Sequence, residues 1–255
     1  MKTFVVTGAA SGIGAAVVSK LRSLDHHVVT VDLHGSDIKA DLSTPEGRGI
    51  AMQGIASLAP GGLLDGLVAC AGVGPQMQPP LSIPKINYFG TVSLVKGLRA
   101  GLETARGSVV LISSNSATLR PYDEDYIGLL LADDELGACS RAAELDPMSL
   151  YGGSKLALAR WMRKNSADYI RHGVRMNAIA PGYTRTALTE AAAKDPAYSQ
   201  AMLDFIGSIP VGRPGEAEDQ ANAVAFLLSE SAAFICGAVI FVDGGHDAML
   251  RPDRF

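Results

Sequence analysis

The sequence predicts an α/β fold, a doubly wound parallel sheet with helices on both faces, and three observations carry the prediction. Short β-branched apolar runs alternate with longer stretches of helical period over the whole chain, the pattern produced when helices cover a parallel sheet. The strand candidates are apolar at successive positions rather than at every second one, so both of their faces are buried. The first strand also passes directly into a glycine-rich turn that opens a helix, the junction at which such sheets hold phosphates. Together these define a Rossmann-type sheet of about seven parallel strands.

In chain order, strands are expected at Thr3–Thr7, His27–Asp32, Asp37–Asp41, Gly66–Cys70, Ser108–Ser113, Val174–Ile179 and Ala238–Val242. Each is a compact apolar run ending near a turn or a polar residue. Helices are expected at Ile13–Leu24, Pro45–Leu58, Lys85–Ala105, Leu150–Ile170 and Ala217–Ser229, where apolar residues recur at helical spacing. The 255 residues read as a single domain, with no internal repeat, low-complexity tract or linker. Two segments stand outside the alternation. Residues 119–147 form an acidic insertion, with a short helix expected over Tyr126–Leu136. Residues 188–210, carrying Met202, Leu203, Phe205 and Ile206, read as a lid over an apolar substrate.

Composition narrows the function. An apolar share of 47% with 19% charged residues and a net charge of −4 describes a compact globular chain. Its Lys and Arg residues are dispersed, so no basic patch is available to neutralise a nucleic-acid backbone. No apolar run approaches the roughly 20 residues that span a bilayer, and the N-terminus offers no signal-peptide pattern. A cytoplasmic location is therefore expected. The three cysteines, Cys70, Cys139 and Cys236, are far apart in sequence and form no metal motif, so they are expected to be reduced core thiols and no metal is expected.

The glycine turn is Thr7-Gly8-Ala9-Ala10-Ser11-Gly12-Ile13-Gly14. Gly8 permits the tight turn, Gly12 lets a pyrophosphate approach the backbone, and Gly14 lets the helix pack closely on the strand. The amides around Ser11, Gly12, Ile13 and Gly14 then face the phosphates. Asp32 ends the second strand, where a carboxylate accepts from the adenosine ribose hydroxyls. No Arg or Lys follows at Leu33, His34 or Gly35 to neutralise a 2′-phosphate, so NAD is expected. Asp41 and Leu42 are candidates to border the adenine, and Ala71 and Gly72 to run beneath the adenosine.

Tyr151 and Lys155 are four residues apart at the start of a predicted helix, which places both on one face. A phenol of ordinary pKa about 10 is a weak base at neutral pH, and neighbouring cations favour its phenolate. Such a pair suits proton exchange with a carbinol oxygen during hydride transfer.

With the glycine turn, Asp32, Cys70-Ala71-Gly72, Asn87, Ser113-Ser114, Tyr151-x-x-x-Lys155, Asn177-x-x-x-Pro181-Gly182 and Val242-Asp243-Gly244-Gly245 in this order, the chain resembles the short-chain dehydrogenase/reductase family over nearly its full length. The resemblance implies Tyr151 as general acid/base, Ser114 as orienter of the substrate oxygen, Lys155 as phenol activator and ribose ligand, and Asn87 as part of a proton relay. It further implies that Pro181, Gly182 and Thr186 hold the nicotinamide end. Cys70 stands where the family usually has Asn.

Ser114 and Tyr151 are much farther apart than is usual in the family, which locates the insertion. It falls near a surface that many members use for a four-helix contact, so a homodimer through another face is expected, with a tetramer as the alternative. The insertion, Gly74-Pro75-Gln76 and the tail Met249-Leu250-Arg251-Pro252 are similar to the bacterial 3α-hydroxysteroid dehydrogenase/carbonyl reductase subgroup. That similarity implies a small apolar alcohol or ketone substrate, met by Ser114, Ser116, Met148, Tyr183 and the 188–206 segment. Two other functions remain open: oxidation of a non-steroid aryl, aliphatic or sugar alcohol, and NAD sensing without turnover.

Overall fold

The computed structural model describes residues 1–186 and 204–254. Its main sheet has seven parallel strands: β1 Thr3–Thr7, β2 His27–Asp32, β3 Ile38–Lys39, β4 Gly66–Ala69, β5 Ser108–Ile112, β6 Arg175–Pro181 and, at the far edge, Val239–Val242. Their spatial order is β3-β2-β1-β4-β5-β6 followed by Val239–Val242, and every neighbouring pair is parallel. The chain therefore reverses direction across the sheet between β1 and β4, the position where doubly wound folds open a crevice at the carboxyl ends of their strands. A two-stranded ladder between Thr184–Arg185 and Gly215–Glu216 adds to the expected elements.

Strand alternation sorts the core into two layers. Val5, Leu67, Val109, Leu111 and Ala178 face one layer with Ile55, Phe89, Leu102 and Met162. Phe4, Val6, Val68, Val110, Ile112 and Ile179 face the other with Val17, Leu21, Val224 and Leu227. The first layer is covered by α2 (Pro45–Leu58) and the helices that follow β4 and β5, the second by α1 (Gly12–Ser23) and the Ala217–Leu228 helix.

Several expected elements differ in detail. The stretch read as one helix over Lys85–Ala105 is a π-helix over Lys85–Gly90, α4 (Thr91–Gly97) and α5 (Arg99–Ala105), with Leu98 breaking the last two, and a helical turn at Ser82–Pro84 (α3) precedes it. The single helix expected over Tyr126–Leu136 is two: α6 (Glu124–Leu131) and α7 (Glu135–Ala142), separated at Asp133, whose φ is 62°. Both are started by aspartates, Asp123 accepting from Tyr126 N and Asp134 from Gly137 N, so the acidic run supplies caps rather than one continuous helix. Asp146 caps α8 (Pro147–Arg171) in the same way and starts it a turn earlier than expected. A short C-terminal helix, His246–Leu250, also escaped the sequence reading. Cys70 and Cys139 are half-buried and Cys236 is exposed, so none is a fully buried core thiol.

The insertion packs on α8 through a pair of glycines. A Cβ at Gly152 would overlap the ring and hydroxyl of Tyr122, and one at Gly153 would come 3.1 Å from the Tyr126 ring. Gly152→Ala is expected to lower unfolding free energy by about 2 kcal/mol or more through overpacking. Gly128→Ala in α6, whose added methyl meets nothing within 4 Å, is expected to be neutral or stabilising. Urea denaturation of both variants measures the contrast.

Candidate active site

All the candidate residues among those described lie on or next to the carboxyl edge of the sheet, except those that the helices bring to it. The glycine turn closes the end of β1. Gly8 and Gly12 have φ of 65° and 52°, a left-handed conformation that glycine adopts without strain. A Cβ on Gly8 would lie 2.7 Å from the Ala71 backbone, one on Gly14 would overlap the Gly8 carbonyl, and one on Gly12 would press on Thr186 Cγ2 at 3.2 Å. The turn is thus closed on the β4 loop at Gly8 and bordered by Thr186 at Gly12. Ser11 is exposed and Ile13 half-buried, leaving the start of α1 accessible to an anion.

Asp32 sits beside this turn. Its carboxylate accepts from Ala10 N at 2.9 Å and from Leu33 N at 2.7 Å. Next to it, Ala40 N donates to Asp32 O at 3.0 Å, bringing the Asp41–Leu42 loop to the same edge. Asp41 is exposed, while the Leu42 side chain is in the core. Ala71 N donates to Thr7 Oγ1 at 3.0 Å, tying the two loops together.

The catalytic candidates form a second group. Lys155 is buried, and its ammonium donates to Ile112 O at 2.8 Å; Ser113 Oγ in turn donates to Lys155 O at 3.0 Å. These bonds clamp α8 to the end of β5. The ammonium lies 6.0 Å from the Tyr151 ring centre. Asn87, in the π-helix and fully buried, accepts from Val73 N at 2.8 Å and donates to Val73 O at 3.0 Å. A Cβ on Gly72 would stand 3.2 Å from both Asn87 Oδ1 and Lys155 Nζ and would press on both side chains. This glycine-bared hollow between Asp32 and Lys155 fits a dinucleotide: the turn would hold its pyrophosphate and Asp32 its adenosine ribose.

Ser114 Oγ accepts from Ser116 N at 3.2 Å and is 2.9 Å from Ser116 Oγ. Tyr122 OH donates to Ser116 O at 2.5 Å, so the insertion braces the Ser114 turn. Sequence reasoning did not single out Tyr122; its signal was the Gly152-Gly153 pair, which an isolated helix has no reason to carry. Met148 is exposed on the first turn of α8, a turn before Tyr151. Tyr183 stands in an aromatic series with Phe205 at 6.3 Å and His246 beyond it at 4.8 Å. His246 Nδ1 lies 3.4 Å from Asn115 Nδ2, which joins the C-terminal helix to the serine turn. Of the expected lid, residues 188–203 lie outside the described residues, and 204–207 are helical. Pro181 is buried, Gly182 abuts Asp243, and Thr186 borders Gly12.

Burial pushes the Tyr151 phenol above its ordinary value, and the Ser114 hydroxyl opposes that only in part. Burial also depresses the Lys155 ammonium to about 8, and the Cys70 thiol is pushed up to about 12 by the same cause, so Cys70 stays protonated at neutral pH. Among the described residues no group of three metal-binding side chains occurs, and no helix is long and apolar enough to cross a membrane.

A glycine-bared strand-to-helix turn beside a strand-end carboxylate, with a Tyr–Lys pair across the crevice, is the framework of a nicotinamide-dependent oxidoreductase. The chain belongs to the short-chain dehydrogenase/reductase family. It matches the family described as short chain dehydrogenase over residues 2–124 and that described as Enoyl-(Acyl carrier protein) reductase over residues 138–247; the gap between the two matches falls in the insertion. It is 37% identical to the 3-alpha-hydroxysteroid dehydrogenase/carbonyl reductase of Comamonas testosteroni over the full length of both chains. Identity to the cis-4-hydroxycyclohexanecarboxylate dehydrogenase of Sinomonas cyclohexanicum is 30%, over 96% of each. The crystal structure of the 3-alpha-hydroxysteroid dehydrogenase from Pseudomonas sp. B-0831 complexed with NADH superimposes with a TM-score of 0.95 at 39% identity, covering all of both chains.

The depressed Lys155 pKa has a measurable consequence in the protein without coenzyme. Unfolding restores its ordinary value, so between about pH 8 and pH 10.5 the unfolded chain binds more protons and stability rises with pH. Replacing Lys155 by Met removes this slope. The stability of wild type relative to Lys155→Met is expected to rise by up to about 3 kcal/mol across that window, read from denaturation midpoints at a series of pH values.

Proposed function

We propose that the protein interconverts a secondary alcohol and a ketone with NAD(H), acting on a small apolar substrate of the 3α-hydroxysteroid or carbonyl-compound type. The observation that carries this reading is the convergence of Ser114, Tyr151 and Lys155 on the crevice opposite the glycine turn and Asp32. When bound, the nicotinamide supplies or accepts the hydride.

The chain's own residues handle the proton. Tyr151 is the general acid in reduction and the general base in oxidation, exchanging one proton with the carbinol oxygen. Ser114 accepts from the Ser116 amide, which leaves its O–H to turn toward the substrate oxygen and Tyr151. Lys155, held on Ile112 O, favours the phenolate against the burial that opposes its ionisation, and would hold a ribose hydroxyl of the coenzyme. Asn87 fixes the Val73 loop and borders Lys155, at the inner end of the proton path. Asp32 supports NAD over NADP, because its carboxylate would repel a 2′-phosphate. Ser116, Met148 and the Tyr183–Phe205 aromatic series form the substrate side, which suits an alicyclic or aromatic ring system. The likeness to a cyclohexanecarboxylate dehydrogenase supports a smaller cyclic alcohol as the second reading.

NADH oxidation by wild type and Tyr151→Phe against steroid, aromatic and cyclic ketones tests the proposal. Tyr151→Phe is expected to lose at least about a hundredfold in turnover while still binding NADH. NADH binding with no turnover on any ketone or alcohol would replace the enzyme reading with a coenzyme-sensing one. Asp32→Ala is expected to weaken NADH binding more than NADPH binding; equal losses would refute the assignment of NAD.

A further inference from the structure

The acidic insertion meets α2 through an ion pair between Glu135 and Arg48. This arginine lies on α2 with its side chain 6% exposed. Its guanidinium donates to four residues in three segments. Nε reaches Leu42 O at 2.9 Å and Nη2 reaches Ser43 O at 3.3 Å, both in the loop after β3. Nη2 also reaches Lys85 O at 3.2 Å, at the start of the π-helix that carries Asn87. Glu135, at the start of α7 in the insertion, takes the remaining direction as a two-toothed carboxylate, with contacts of 2.7 and 3.0 Å.

A buried guanidinium in water-excluded surroundings requires a counter-charge and acceptors for its donors. Glu135 supplies the charge. The three carbonyls are then fixed by a planar fork whose orientation the Glu135 pair sets. Two of these carbonyls belong to the 41–43 loop, which adjoins Asp32 through Ala40 N. Gly90, at the other end of the π-helix, packs against the same loop, since a Cβ there would meet Leu42 O at 3.0 Å.

We infer that Glu135 is a positioning residue for the coenzyme: through Arg48 it holds the 41–43 loop where the adenine end of the dinucleotide docks, making coenzyme affinity depend on the insertion. The inference rests on the dinucleotide reading of the crevice. It predicts an effect confined to coenzyme binding, because Arg48 contacts neither Ser114 nor Tyr151.

The test compares wild type with Glu135→Gln and Glu135→Asp, measuring NADH dissociation constants by coenzyme fluorescence, thermal midpoints without coenzyme, and KM and kcat with a ketone that wild type reduces. Glu135→Gln keeps the shape and removes the charge; it is expected to bind NADH about fivefold more weakly, with a matching rise in coenzyme KM and unchanged kcat and ketone KM. Glu135→Asp, retaining charge at shorter reach, should recover part of the loss, and it carries the test should Glu135→Gln fail to fold. A lowered thermal midpoint with wild-type NADH affinity in a folded variant would make the pair a structural staple only and overturn the inference. Should wild type itself bind neither NADH nor NADPH, the dinucleotide reading would fall and this inference with it.

Discussion

A buried ammonium must be given a hydrogen-bond acceptor and a fixed position, and in this fold the acceptor is a strand-end carbonyl. Lys155 rests on Ile112 O, while the next residue of that strand end, Ser113, returns a bond to the Lys155 carbonyl. The long helix α8 is thereby pinned to the middle of the sheet's carboxyl edge, and Tyr151, one turn earlier, is carried to the crevice. The neighbouring loops conform to the same point. Gly72 is bare where Lys155 and Asn87 approach, and Asn87 spends both ends of its amide on the Val73 backbone.

Burial holds these groups and also works against their chemistry. It lowers the affinity of Lys155 for its proton, to a pKa of about 8 that still leaves an ammonium at neutral pH, and it raises that of Tyr151, which stays a neutral phenol. In the proposed reaction a bound positive nicotinamide would favour the Tyr151 phenolate, and so would oppose the effect of burial on the phenol.

The insertion occupies two faces of this arrangement. Tyr122 and Tyr126 lie in the groove left by Gly152 and Gly153, and Tyr122 braces the Ser116 carbonyl beside Ser114. Farther along, α7 brings Glu135 to Arg48. Most of the insertion's other charges are spent on the surface, in pairs such as Arg160–Glu124 and Arg141–Asp123, which contribute little individually. Its acidity thus divides into helix caps, surface pairs and one carboxylate facing a buried arginine.

The sequence by itself determined the strand order's raw material, the glycine turn, Asp32 and the Tyr151–Lys155 spacing, because these are local: a period, a turn or a one-face separation is written in adjacent residues. It also carried the family resemblance that the full-length similarity bears out. Contacts between distant segments were decided only by the tertiary structure. Arg48 and Glu135 are 87 positions apart, and nothing near either announces the other. The break at Asp133, the π-helix at Asn87 and the ladder between Thr184–Arg185 and Gly215–Glu216 depend on what packs against them. The direction of the Tyr151 shift belongs to the same class, since desolvation is set by everything that surrounds a group, and a sequence names only its chain neighbours.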